Sequence, residues 1–93
     1  MGEGRATLVE LISETASVAE AAMKMDMPYR KALRLVDVMN ESGDEALVHI
    51  EKLGSDQDRA QVTEYGLKIA SVYREIQKEA QNELNKMLNH KLA

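Results

Sequence analysis

A mainly α-helical fold, a winged helix-turn-helix with a two-stranded wing and a long C-terminal dimerisation helix, is what this 93-residue sequence predicts from three observations. Residues 17–34, SVAEAAMKMDMPYRKALR, read as a short capped helix, a tight turn and a second helix that opens with a basic cluster. Residues 46–62 abandon the helical period for two short β-prone runs on either side of a turn-forming stretch. From Thr63 onward, apolar residues return every three or four positions almost to the C-terminus.

The first helix is expected from about Arg5 to Glu14, with Leu8, Val9, Leu11 and Ile12 as its apolar stripe. Thr15-Ala16-Ser17 breaks it. Ser17 then caps a second helix over about Val18–Met25, with Glu20 at the reciprocal capping-box spacing. The alanines of that helix let a neighbour approach closely. Asp26-Met27 makes the turn. Pro28, which cannot continue a helix but suits the first turn of a new one, opens the third helix, Pro28–Asn40. Ala32, Leu33, Val36 and Met39 are its expected inner face, and Arg30, Lys31, Arg34 and Asp37 its outer one. Gly43 stands near its C-terminal cap.

Leu47–Ile50 and Arg59–Val62 are the expected strands, with Leu53–Asp58 as their turn. Such a ribbon is marginal alone and must lean on the helices. Thr63 caps the last helix, which is expected to reach about Leu92 and to span about 45 Å if continuous. That exceeds the small domain before it, so the apolar stripe from Ile76 onward needs a cover. A second copy of the chain is the simplest, paired through Ile69, Tyr73, Ile76, Ala80, Leu84 and Met87. The chain thus divides into a winged unit, residues 1–62, and a dimerisation helix packed on it, residues 63–93.

Composition narrows the function. Without cysteine there is no disulfide and no thiolate metal site, and His49 and His90 lie too far apart to suggest zinc. Phe and Trp are absent, which disfavours a stacking platform for single-stranded nucleic acid. No apolar run approaches the roughly 20 residues that cross a bilayer, and Met1–Arg5 shows no secretory signal, so a cytoplasmic protein is expected. A net charge of −4 opposes DNA binding by overall electrostatics. Screening, however, confines such fields to about 10 Å, so local charge decides. Residues 28–40 set three cations against Asp37, whereas residues 41–64 set Lys52 and Arg59 against seven carboxylates. Positive charge is concentrated on the third helix.

Arg30, Lys31 and Arg34 on a bare helix would read as a solvated face. After a capped helix and a turn, they sit where a recognition helix brings Arg to guanine edges and Lys to phosphates. Pro28 starts that helix, and Tyr29 either donates its hydroxyl to a phosphate or packs against the second helix. Ser17 is a cap that can also face a phosphate. Lys52 and Arg59 flank the wing tip and are candidates for a backbone or minor-groove contact, opposed by Asp56 and Asp58. Glu41, Asp44 and Glu45 read as a charged loop, His49 as a partly buried strand residue, and Met23, Met25 and Met27 as core filler. No nucleophile–base pair, phosphate loop or metal-ligand spacing is present in the sequence, so neither an enzyme nor a cofactor is expected.

In this order of elements the chain resembles the N-terminal DNA-binding domain of molybdate-responsive ModE-type regulators and, more distantly, that of LysR-type regulators. The matching pieces are Gly4-Arg5, Leu11–Val18, Ala21-Ala22, Met27–Leu33, Val36–Asn40, the Val62-Thr63-Glu64-Tyr65-Gly66 lead-in to the last helix, and Tyr73–Ile76 within it. The chain departs from the pattern at Pro28, where Ser usually begins the recognition helix, and at Leu33, where Trp is common. Its wing, Gly54-Ser55-Asp56-Gln57-Asp58, is acidic where the family's is basic. No oxyanion-binding domain follows in this sequence, so no molybdate site is expected. The resemblance implies a dimeric, sequence-specific transcriptional regulator of double-stranded DNA, here a stand-alone DNA-binding domain without an effector domain. The rival reading keeps the winged fold but makes it a protein–protein interaction module, a partner subunit that does not bind DNA.

Overall fold

Apolar side chains four and three apart on the first helix, Leu8, Val9 and Ile12, are wholly buried and form the floor of the core. In the computed structural model, which describes residues 1–92, the order is α1 (Glu3–Thr15), α2 (Val18–Lys24), α3 (Tyr29–Ser42), β1 (Val48–Gly54), β2 (Gln57–Val62) and α4 (Glu64–Leu92). Three helices, a two-stranded antiparallel wing and a long last helix make a winged helix-turn-helix. Val18, Ala21 and Ala22 from α2, Ala32, Val36 and Met39 from α3, and Leu47, Val48, Ala60, Val62 and Ala70 complete the core. Each fully buried Val or Leu contributes on the order of 1.5–3 kcal/mol.

The turn between α2 and α3 closes without glycine. Met27 donates its N–H to the Ala22 carbonyl (2.9 Å) and Asp26 to that of Met23 (3.1 Å), the paired bonds of a Schellman cap. The αL position falls on Asp26 (φ 53), a residue type that tolerates it. Pro28 lies at the N-cap of α3 rather than in its first turn, and its carbonyl accepts from Lys31 and Ala32. The outer helix boundaries extend by about two residues past the expected ones, to Glu3 and Ser42, as frayed ends do.

The wing is longer than the sequence suggests. Its register pairs Val48 with Val62, Ile50 with Ala60, Glu51 with Arg59 and Lys52 with Asp58, with a bulge before Gly54. The expected six-residue turn therefore shrinks to Ser55-Asp56, where Asp56 takes the αL conformation (φ 58). His49 is exposed on the outer face of the ribbon, not partly buried. Three sets of bonds seat the wing. Asn40 accepts from Leu47 N–H (2.8 Å) and Val48 N–H (3.2 Å) and donates to the Val48 carbonyl. The Ala60 N–H donates to the Ala16 carbonyl (2.8 Å). Thr63 donates to the Ala46 carbonyl and accepts from Gly66 N–H (2.9 Å), capping α4 as expected.

Arg74 holds α4 to α1. All five of its N–H groups are used: two on Glu10 (3.0 and 2.7 Å), one each on Glu3, Thr7 and Gln77. Glu3, Thr7 and Glu10 recur at four and three residues, so they share one face of α1. Past Arg74, every described residue of α4 is exposed. Among the described residues, no helix is long and apolar enough to cross a membrane.

Candidate nucleic-acid interface

The outer face of α3 follows from its inner one. With Ala32, Val36 and Met39 buried, helical geometry turns Arg30, Lys31, Arg34, Asp37 and Val38 to solvent, and all five are exposed. Arg30 and Arg34 lie one turn apart on a single stripe, with Lys31 beside them. Among the described residues none of the three takes part in an ion pair, whereas Arg59 and Arg74 both do. No acidic residue stands in the first turn of α3. Arg30 and Lys31 stand in that first turn, where cations oppose the helix macrodipole, an effect that fades before Arg34 in the second turn. The first two cations of the cluster are thus placed against local electrostatics, in a position that a nearby anion would relieve.

Two residues expected at the interface are committed elsewhere. The Ser17 hydroxyl donates to Asp58 Oδ1 (3.2 Å) and accepts from Glu20 N–H (3.1 Å), while Val18 and Ala19 donate their amides to Asp58 (2.8 and 2.9 Å). No donor remains there for a phosphate, so Ser17 is a cap and not the phosphate contact expected of it. The Tyr29 hydroxyl is buried without a hydrogen-bond partner, and the ring packs against the core. Packing, not phosphate contact, is therefore its role. Burial, and secondarily the nearby Asp58 carboxylate, pushes the Tyr29 phenol above its ordinary value.

Pro28 is exposed and stands directly before the cationic stripe. The wing cations are not brought together. Lys52 lies opposite Asp58 and Arg59 opposite Glu51, so alternation sends Lys52 and Arg59 to opposite faces of the ribbon. Arg59 pairs with Glu51 at 3.6 Å, both side chains being about two-thirds exposed, which makes a weak link. Asp58 does not crowd the wing surface as expected; it is 8% exposed and turned onto α2.

On α4, Ile76, Leu84 and Met87 are roughly half exposed and Ala80 is open, while Ile69 and Tyr73 are half-buried against their own chain, Ile69 against its core. Of three residues that organise this surface, the sequence assigns Asn40 and Arg74 no role and Asp58 only that of a charge opposing phosphates at the wing tip. Asn40 at the end of a helical apolar stripe, followed by a strand, is the one with a visible signal, since Asn commonly ties such ends to a neighbouring backbone.

Fold and surface together define a winged helix-turn-helix whose third helix presents a free cationic stripe. No family model matches the chain. Over 87 residues it is 30% identical to the molybdenum transport protein ModE of Azotobacter vinelandii, a match that takes in 94% of this chain and 32% of that protein. The resemblance to ModE thus extends over nearly the whole sequence, while the chain spans about a third of the length of the relative it matches.

Proposed function

We propose that this chain is the DNA-binding domain of a transcriptional regulator, acting as a two-fold dimer on double-stranded DNA. The observation that carries the reading is the Arg30–Lys31–Arg34 stripe: exposed, outside any ion pair among the described residues, and set in the first two turns of α3. A helix presented by a turn in this way enters a major groove with its N-terminal residues toward the base edges. Arg30 and Arg34 have the forked geometry for guanine O6 and N7, and Lys31 suits a phosphate. Lys52 reaches the neighbouring backbone from the wing, with Arg59 secondary because of Glu51. Pairing of α4 with its two-fold mate covers Ile76, Ala80, Leu84 and Met87 and sets two reading helices on one side of a duplex. The likeness to ModE supports this class of role and gives no reason to place a molybdate site in these residues.

The test is duplex binding by the Arg30→Ala, Arg34→Ala double variant, on DNA selected by the wild type from a random pool. Specific binding at about 0.15 M salt should be lost while the dimer and its thermal stability persist, because both side chains point away from the core. Wild-type affinity should fall steeply with salt through counterion release. Retention of affinity by the double variant, or no duplex binding by the wild type even at low salt, would favour the interaction-module reading.

A further inference from the structure

We propose that Asp58 is a positioning residue for the DNA-reading helix: carried on the wing, its carboxylate fixes the N-terminus of α2 and, through α2, the pose of α3. The inference rests on the DNA-binding reading above and assigns Asp58 no contact with DNA.

The bonds converge on one group. Asp58 Oδ1 accepts from Ser17 Oγ and Ala19 N–H, Oδ2 accepts from Val18 N–H, and Glu20 N–H closes onto Ser17 Oγ. The first three amides of α2 therefore end on Asp58 or on the hydroxyl bonded to it. A seven-residue helix does not sustain itself in water, so what holds its ends sets where it lies. One end is held by Asp58, about forty residues away in sequence. The other is the Schellman turn, which runs directly into Pro28 and α3. Tyr29, the first residue of α3, buries its phenol close enough to Asp58 to feel its charge. Wing, α2 and the start of α3 thus meet at a single carboxylate, 8% exposed. A negative charge at a helix N-terminus forms strong charge-assisted bonds, which suits a fixed joint.

The sign of the effect separates this role from its alternatives. A carboxylate that merely repelled phosphates would, once neutralised, leave DNA binding stronger. One that merely stabilised the fold would, once removed, leave the affinity of the folded molecules unchanged. A positioning carboxylate weakens specific binding on neutralisation and releases no counterion.

Asp58→Asn turns the amide nitrogen or the oxygen against backbone donors that need two acceptors, so one bond is lost at nearly constant shape. The experiment titrates the full chain, wild type and D58N, against the selected duplex and a random-sequence duplex over a salt series. Circular dichroism at the same temperature establishes that the variant is folded. Expected is about a tenfold weakening on the selected duplex, with little change on the random one. The slope of log K against log salt should stay at the wild-type value, while Lys31→Ala, which removes a phosphate contact, should reduce it by about one. Affinity of folded D58N at or above wild type overturns the proposal. Should D58N fail to fold, Ser17→Ala decides: it keeps both Asp58–amide bonds and is expected to weaken specific binding about threefold at unchanged slope. Unchanged affinity of S17A then overturns it. A wild type that binds no duplex at low salt sinks the DNA reading itself, an outcome distinct from a binding wild type with an indifferent D58N.

Discussion

At Gly66 the backbone of α4 passes so close to the loop before the wing that a Cβ would lie 2.3 Å from the Leu47 carbonyl oxygen and 2.9 Å from Val62 Cγ1. The obstacle is main chain that Thr63 also uses, since the Thr63 N–H donates to that same carbonyl (2.9 Å). It cannot step aside cheaply. Gly66→Ala should therefore destabilise the fold by about 2 kcal/mol or more, read as a lower midpoint in urea unfolding. Local chemistry of this kind was legible: Thr63 and Ser17 act as caps because their partners lie within three residues. Asp58 was not, because its partners lie some forty residues earlier and nothing in an Asp-rich turn tells an inward carboxylate from a solvated one. Tyr29 gave two readings of equal standing, and the burial of its hydroxyl selects one.

Among the elements, α1 and α4 are joined by charge as much as by packing. Hydrogen bonds from Arg74 hold the Glu10 carboxyl below its ordinary value of 4.5, and those from Gln77 and Arg74 do so for Glu3. A carboxyl lowered in the folded state lends stability that is present above its unfolded value and is lost as pH falls through the folded one. The melting temperature should accordingly fall as pH drops below about 4.5, more steeply in wild type than in Arg74→Gln, in a thermal scan series. Equal slopes would show that the pair contributes nothing. The helices themselves were readable because buried positions at three and four residues on α1 and α3 fix both period and face. The wing boundaries were not. β1 continues through Glu51, Lys52 and Leu53, a stretch with no alternation to mark it, because its own side chains there are all exposed and only backbone pairing with β2 defines it.

The whole molecule measures 58 × 29 × 20 Å, and its long dimension reflects α4. Ile76, Leu84, Met87 and Leu88 expose apolar surface on a helix that its own chain leaves uncovered. Ile76→Asp with Leu84→Asp should convert the proposed dimer to a monomer in sedimentation velocity while leaving the winged body folded. Loss of the second half-site should weaken the proposed binding to the selected duplex by about 100-fold or more, since two linked contacts become one. A wild type that sediments as a monomer at micromolar concentration would refute the paired arrangement.

Arg74 and, one turn on, Gln77, which donates to Glu3, are also the last places among the described residues where the final helix is gripped. Residues 78–92 project past them, about 22 Å of stiff rod at the usual rise. A tilt of about 10° at that grip would swing the far tip by about 4 Å. Small adjustments between the first and last helices are thereby magnified into large displacements at Leu92, so whatever grasps the rod has leverage over the body that carries it.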